Sequence, residues 1–432
     1  MAEAGTDRRP RLAVVFGVGS SGTFRLRDAV SHFCDLIWVV SRPLAEPDRR
    51  IMSRLGPVVD AQEVDPATVC QRLADLHLDG IVTFNDSDLE LTSQLALGLG
   101  LPSHTSATAQ RLTDKYLQRS ALRAADIPTP PVVRVSPKSP PDQLAAQLAG
   151  MIWPAVVKPV ASAASRQTAA VADSREVVEH LTAAAAGGVD EDFVVEGRLL
   201  PPREVPWSPL GDFLSVETVF TDGEPTTIGV MAKFPLAPPF RETGDVLPAP
   251  IQLDAWEEAA TLAARAATAL GVSWGSTHTE LKLTDAGLRV IEVNGRMAGR
   301  GMSDLYRSAG VPLVELTVRS ALGGAHAFDP SRAPVIDPAL AGVGPYQFEY
   351  FLQPPVGARR LVAVEGVSDA ATIPGVTRVA TNKVGGDDLD WRRGFFEYVL
   401  GVQGAAPDLA TLHSIPGEVH SRVRPVYEFE DR

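Results

Sequence analysis

Two stretches decide the reading of this chain: Ser276-Thr277-His278-Thr279-Glu280-Leu281-Lys282-Leu283 and Leu288-Arg289-Val290-Ile291-Glu292-Val293-Asn294-Gly295-Arg296. Apolar and polar residues alternate in both, as in strands, and Asp285-Ala286-Gly287 between them has the composition of a tight turn. Folded as a hairpin about Ala286, they set Lys282 against Val290, Glu280 against Glu292 and His278 against Asn294. Successive strand residues point to opposite faces, so Glu292, Asn294 and Arg296 share the face of Glu280. Two carboxylates about 5 Å apart at an effective dielectric of about 20 repel by roughly 3 kcal/mol, which something must offset. Oxygen ligands with at most one imidazole nearby are the donor set of Mg2+ or Mn2+ rather than Zn2+. The alternative is a solvated face with Arg296 as a surface ion pair; the apolar Val290, Ile291 and Val293 favour a buried sheet.

At 432 residues, 45% hydrophobic and 22% charged, the chain is an ordinary globular composition and too long for one core; about three domains are expected. The net charge of −13 argues against a nucleic-acid partner and against an anionic membrane surface. Bound phosphate must then be held by local lysines, backbone amides and metal. Cys34 and Cys70 are the only cysteines, so no disulfide framework is indicated. Met1 to Arg11 is polar and no apolar run reaches membrane-spanning length, so a cytoplasmic protein without a membrane partner is expected.

Strand and helix signals alternate over the first hundred residues, as in an open parallel sheet. Gly17-Val18-Gly19-Ser20-Ser21-Gly22 follows the first strand and forms a G-x-G-x-x-G. A dinucleotide site also expects an acid at the end of the second strand, where this chain has Ser41-Arg42. A tight turn whose helix-end amides meet a substrate anion is the better reading. Thr105 to Ala125 reads as a helix ending at the proline-rich Asp126–Pro131. A second proline-rich stretch, Leu199 to Leu210, opens a mainly antiparallel region reaching about Asn294. From 325 to 337 the chain is linker-like, and strand and helix signals alternate again to the end.

Lys158 leaves a buried strand and is followed by the small-residue loop Val160-Ala161-Ser162-Ala163-Ala164-Ser165-Arg166-Gln167, an arrangement suited to phosphate oxygens. In order, Lys115, Lys158, Val194-Val195-Glu196, Glu280 and Glu292-Val293-Asn294-Gly295-Arg296 resemble the ATP-grasp superfamily, specifically its carboxylate-amine ligases related to L-amino acid ligases. The resemblance implies an α/β ATP-grasp fold with an N-terminal pre-ATP-grasp parallel-sheet, Rossmann-like domain over 1–110. It implies an ATP-grasp domain over 111–325, with a smaller lid subdomain (111–200) and a metal-bearing subdomain (201–325), and a C-terminal α+β domain over 326–432. Residue by residue, it assigns Lys115, Lys158 and Ser165 to the ATP phosphates, with Lys233 as a further phosphate-facing base. It puts Glu196 and Leu199 at the adenine hinge. Glu280, Glu292 and Asn294 would hold Mg2+ or Mn2+, two ions in the family. Arg296 would stabilise the phosphoryl and tetrahedral oxyanions, and Arg300, in Gly299-Arg300-Gly301, the substrate.

Two departures stand out. The loop after Lys158 is rich in Ala and Ser where the family has glycines, and the ribose acid falls to Asp212 or Glu204. Taken alone, Lys115 reads as a solvated helix lysine, Arg241-Glu242 as a surface ion pair or a substrate contact, and His278 as a hydrogen-bonded structural histidine. The resemblance implies an ATP-dependent ligase joining a carboxylate, of an amino acid or related small acid, to an amine through an acyl phosphate. The products would be an amide or dipeptide, ADP and phosphate, made for a specialised metabolite. An ATP-dependent carboxylase or formate-using ligase, or a non-catalytic nucleotide-binding protein, are the alternatives, and a homodimer is the candidate assembly.

Overall fold

The computed structural model describes residues 8–17, 22–162 and 164–429, and the side chains of Arg300 and Ala325 lie outside the description. Most of the Gly17–Gly22 turn therefore also lies outside the described residues. The chain opens with β1 (Arg11–Phe16), α1 (Thr23–Val30), β2 (Asp35–Val40), α2 (Glu46–Leu55), β3 (Val58–Asp60), α3 (Pro66–Ala74) and β4 (Gly80–Thr83). These strands form a parallel sheet in the order β3-β2-β1-β4. Apolar residues dominate them, as expected where helices cover both faces.

After α4 (Leu89–Leu99), the stretch expected as one helix is two, α5 (Ser106–Thr113) and α6 (Lys115–Ala124). Asp114 breaks them, with φ −102° and ψ 109°, and its carboxylate accepts from the Leu117 amide as the N-cap of α6. The break points Lys115 inward. A helix presents positions i, i+3, i+4 and i+7 on one face, and the buried residues of α6 are Lys115, Gln118, Arg119 and Leu122.

β5 (Val132–Val135), α7 (Pro141–Gln147), β6 (Ala155–Pro159), β7 (Ala169–Val171), α8 (Ser174–Ala186) and β8 (Phe193–Gly197) follow. Their strands make an antiparallel sheet in the order β5-β8-β6-β7, with α7 and α8 contributing Leu144, Val177 and Leu181 to its own small core.

The largest sheet begins with β9 (Phe213–Thr221), β10 (Glu224–Lys233) and β11 (Gly244–Leu247). α9 (Leu253–Leu270) is followed by β12 (Gly275–Thr284) and β13 (Gly287–Asn294). α10 (Arg300–Ser308) and α11 (Leu313–Leu322) lead through short 3-10 turns to β14 (Tyr346–Leu352). β15 (Ala358–Glu365), α12 (Val367–Ala370), β16 (Val376–Thr381), β17 (Leu400–Ala406), α13 (Leu409–Arg422) and β18 (Arg424–Phe429) complete the chain. The strand order is β13-β12-β9-β10-β11-β14-β17-β16, so residues beyond 325 extend the sheet that carries the glutamate hairpin; β15 and β18 pair apart from it.

α9 lies on this sheet through an alanine-rich stripe, Ala259, Ala263, Ala266 and Ala267, packed with Leu214, Val216 and Val293. Small side chains let helix and sheet approach closely, and dispersion contacts accumulate over the stripe. A second core joins Val14 and Trp38 of the N-terminal sheet to Leu316 of α11 and Val219 of β9. That core brings the loop after β4 to the end of the glutamate hairpin.

Candidate active site

The hairpin pairs His278 with Asn294 and Glu280 with Glu292, both in antiparallel register. The third expected pair is corrected: a bulge after Glu280 leaves Lys282 opposite Arg289, and Leu281 opposite Val290. The extra residue, Ile291, accommodates a shorter turn in which Thr284 pairs directly with Gly287. Ile291 is also where Arg119 anchors, its Nη2 donating to the Ile291 carbonyl.

β13 is the edge strand of the sheet, and α6 covers it. Gln118 donates Nε2–H to the Val293 carbonyl (2.9 Å) and accepts from the Val293 amide at Oε1 (3.0 Å), occupying hydrogen-bonding groups a further strand would use. The same helix presents Lys115, only 4% exposed, with Nζ 2.9 Å from Glu292 Oε1 and donating to the Ser162 carbonyl at 2.7 Å. Lys115 is therefore buried rather than a solvated surface lysine.

Lys158 and Arg119 share one carboxylate. Lys158 Nζ is 2.5 Å from Glu196 Oε1, and Arg119 Nε donates to Glu196 Oε2 at 3.1 Å. Burial would raise the Glu196 pKa, but the two cations overcome it and bring it down to about 2. Burial lowers the Lys158 pKa, with Glu196 opposing. A carboxyl with a depressed folded pKa stabilises the fold fully above its unfolded value near 4.5, and that contribution is lost as pH falls through about 2. Glu196→Gln is therefore expected to cost about 3 kcal/mol at pH 7, because two buried cations lose their partner. The deficit against wild type should shrink toward pH 3. Denaturant titration at both pH values checks this; an equal deficit at both would contradict it.

Burial opposes the Lys233 ammonium, but Asp245 (2.5 Å), Glu242 (3.4 Å) and Glu280 outweigh it and hold its pKa above the ordinary lysine value. Fully buried, Lys233 lies behind Glu242 and Asp245, which themselves line the cavity described below. Arg241 is also buried, donating to the Pro238 and Pro354 carbonyls, so Arg241-Glu242 is no surface ion pair.

His278 Nδ1 bonds Glu217 Oε1, and its Nε2 lies 3.7 Å from Glu280 Oε1. Burial works against the imidazolium, but Glu217 and Glu280 raise its pKa to about 9. Glu280, despite burial, is brought to about 2 by His278, Lys233 and Lys158. Asn294 is buried and donates Nδ2–H to the His278 carbonyl at 3.3 Å. Arg296 donates Nε–H to Asp86 Oδ2 (2.9 Å), with Nη2 at 2.7 Å, and Nη1–H to the Met297 carbonyl (3.0 Å).

These groups surround one cavity of about 1620 Å³. Lys115, Lys158, Ser165, Glu196, Leu199, Glu280, Glu292 and Arg296 line it; Lys233 and Asn294 are set behind its wall. Asp212 lines it with its carboxylate 2.6 Å from Lys282, whereas Glu204 does not. The Arg300 side chain lies outside the described residues. Sequence reading passed over Arg119, Gln118, Glu217 and Asp86. Gln118 and Arg119 are recognisable only once α6 is seen to turn them inward, and Glu217 and Asp86 gain their partners only through tertiary contacts.

Among the described residues, no group of three or more His, Cys, Asp or Glu side chains is placed to hold a metal. Two facing carboxylates nevertheless fit Mg2+, which commonly takes one or two carboxylates and completes its shell with phosphate oxygens and water.

The loop over Lys158 is closed. Ala164 O accepts from the Phe395 amide (3.0 Å), Gln167 N–H donates to Arg392 O (3.1 Å), and Ser165 Oγ donates to Phe240 O (2.9 Å). Ala164, Ser165 and Gln167 adopt φ of 58°, 56° and 53°, a region that costs non-glycine residues of order 1 kcal/mol or more each. Alanine and serine here thus take up glycine-like geometry under restraint from neighbours. Gly394, at φ 74°, is one of them, and a Cβ there would lie 1.9 Å from Ala164 O. Gly394→Ala is expected to undock the loop, giving several-fold faster proteolytic cleavage within 161–168 and a several-fold higher KM for ATP. Wild-type values for both would contradict this docking role.

Residues 151–304 match the ATP-grasp domain family. The chain has the α/β ATP-grasp fold, an N-terminal parallel four-stranded sheet followed by antiparallel sheets that surround the cavity. It is similar over its length to the crystal structure of an L-amino acid ligase from Bacillus licheniformis, with a TM-score of 0.73, 21% identity, and coverage of 98% of this chain and 100% of that one. Among curated proteins, it is 26% identical over 275 residues to alanine–anticapsin ligase of Bacillus amyloliquefaciens, covering 60% of this chain and 57% of that protein. It is 27% identical over 258 residues to the uncharacterized protein y4rH of Sinorhizobium fredii, covering 56% and 49%. The matched segments thus span about half the length of these curated relatives. Among the described residues, no helix is long and apolar enough to cross a membrane.

Proposed function

We propose that the protein is an ATP-dependent ligase that joins the carboxylate of an amino acid or related small acid to an amine, releasing ADP and phosphate. One observation carries the reading: Glu280 and Glu292 face each other on paired strands in the cavity that also holds Lys115, Lys158 and Arg296. Residues 111–325 form the nucleotide-binding part, with 1–110 and 326–432 closing the cavity.

Lys115 and Lys158 bind the phosphates, giving up part of their contact with Glu292 and Glu196 to do so. Leu199 and the backbone after Glu196 seat the adenine, and Asp212 takes the ribose. Glu280 and Glu292 would hold Mg2+, which when bound neutralises charge on the transferring phosphoryl group. The substrate carboxylate attacks the γ-phosphorus, the bond to the ADP oxygen breaks, and an acyl phosphate forms. Arg296 faces the oxyanion that develops when the amine attacks the acyl carbon and phosphate leaves. Closure of the 160–168 loop and its subdomain would exclude water, which would otherwise hydrolyse the acyl phosphate.

Hydroxylamine intercepts acyl phosphates. Incubation with ATP, Mg2+, hydroxylamine and a panel of amino acids should give a hydroxamate and stoichiometric ADP for at least one acid. ADP release with bicarbonate or formate alone would point to the other chemistry of this fold, and no carboxylate-dependent ADP release would overturn the reading.

A further inference from the structure

Between β13, which ends at Asn294, and α10, which begins at Arg300, the chain crosses from the glutamate hairpin to the helix beside the cavity. Residues that leave a strand lose their ladder partners, and a buried main chain must find others. Here side chains from distant segments supply them, with Arg296 in the middle. Upstream, the Gly295 carbonyl accepts from His104 Nε2 at 3.1 Å. Downstream, the Ala298 amide donates to Glu217 Oε2 at 2.9 Å, while Glu217 Oε1 is bonded to His278. The Arg296 guanidinium itself is held by Asp86 and the Met297 carbonyl.

His104 lies in the loop between α4 and α5 and is only 8% exposed. A carbonyl oxygen only accepts, so Nε2 carries the hydrogen. Burial lowers the pKa of the ring, which is therefore neutral at pH 7, and that hydrogen is its only one on nitrogen. Nδ1 is buried with no hydrogen-bond partner among the described residues. An unpaired buried nitrogen costs free energy that an apolar side chain of similar size would not, so packing alone does not account for a histidine here. The bond to Gly295 does. A Cβ on Gly295 would lie 2.6 Å from Leu112 Cδ1, 3.0 Å from Leu89 Cδ1 and 3.4 Å from His104 Nε2. The glycine thus lets the main chain press against α4 and α5. Leu89 and Leu112 fix its distance, and His104 fixes the direction of its carbonyl.

We infer that His104 is a positioning residue for Arg296: by holding the planar Gly295–Arg296 peptide it sets the direction in which the Arg296 side chain enters the cavity. The inference rests on the ligase reading above, in which Arg296 faces the developing oxyanion. Asp86 restrains the far end of a long, flexible side chain, whereas the His104 bond restrains its root. A displacement of about 1 Å at a reacting centre is enough to lower a rate by about a hundredfold.

The test compares kcat for hydroxamate formation, from ATP, Mg2+, hydroxylamine and the amino-acid panel, with ATP affinity measured by calorimetry. His104→Leu keeps the bulk and removes the donor; kcat should fall about tenfold to a hundredfold, with ATP affinity within about threefold of wild type. His104→Gln, whose amide nitrogen can reach the Gly295 carbonyl, should recover most of that loss. His104→Asn, whose amide stops short of it, should lose as much as His104→Leu and stands in for it if that variant does not fold. The deciding measurement is the double variant. Because His104 acts through Arg296, adding His104→Leu to Arg296→Ala should leave kcat within about threefold of Arg296→Ala alone, whereas a purely structural role would multiply the two losses. Multiplied losses, wild-type kcat in His104→Leu, or a His104→Gln variant no better than His104→Leu overturns the inference, while hydroxamate formation by wild type leaves the ligase reading standing. Absence of hydroxamate in wild type removes both.

Discussion

Replacing Arg296 by alanine is expected to lower kcat by about a thousandfold while ATP affinity stays within about threefold of wild type. Arg296 is held by Asp86 from the loop after β4 and by the Met297 carbonyl, so its guanidinium is fixed before substrate arrives. A donor already oriented loses nothing to reorganisation when charge develops, which is why removing one such group commonly costs two to three orders of magnitude. In the proposed mechanism, ground-state nucleotide binding falls instead to Lys115 and Lys158. Calorimetric titration of ATP beside steady-state kinetics separates the two. Lost ATP binding with residual turnover in proportion would move Arg296 from the reacting centre to the nucleotide site. Because Asp86 loses its partner in this variant, Arg296→Lys should be measured as well; it restores a charge without the planar fork and should recover only part of kcat.

The second large effect is expected from Glu292→Gln. The change removes one of two facing carboxylates and also frees Lys115 from its 2.9 Å contact. The Mg2+ concentration for half-maximal activity should rise by at least about tenfold, with kcat reduced about a hundredfold at saturation. Glu280→Gln should behave likewise. A variant that retains the wild-type Mg2+ titration would place the metal elsewhere. Glu257→Gln, on the exposed side of α9, serves as the control and should leave the titration unchanged.

Much of the fold was legible because periodicity is local. The alternation in Ser276–Leu283 and Leu288–Arg296 gave the hairpin, and the pairing of Glu280 with Glu292 follows from counting alone. The error at Lys282 has a local physical cause, since a single bulged residue shifts every pair on one side of it. The break at Asp114 was less visible, because an aspartate inside a helical pattern reads as a surface residue until its capping bond is known. Sheet continuity was not legible at all: β14, β16 and β17 join the strands of the hairpin through contacts distant in sequence.

The same division holds at the site. Lys115, Lys158, Glu280, Glu292 and Arg296 stood out in order and spacing and converge on one cavity. Lys233 and Asn294 also belong to that pattern, yet their side chains turn toward Asp245 and the His278 carbonyl. Arg119, Glu217 and Asp86 became visible only when opposite charges from remote segments met in the interior. Burial of such pairs is tolerated because each is hydrogen-bonded to its partner, and no periodicity in the chain announces it.

Central to the account is a divalent cation held between the two hairpin carboxylates and the nucleotide phosphates. A crystal grown with Mn2+ and a non-hydrolysable ATP analogue, measured at the manganese absorption edge, tests it most directly. The account predicts anomalous peaks about 2.1 Å from carboxylate oxygens of both Glu280 and Glu292, with the phosphates between them and Lys115 and Lys158. Manganese bound away from that pair, or a triphosphate seated without contact to either lysine, would contradict it.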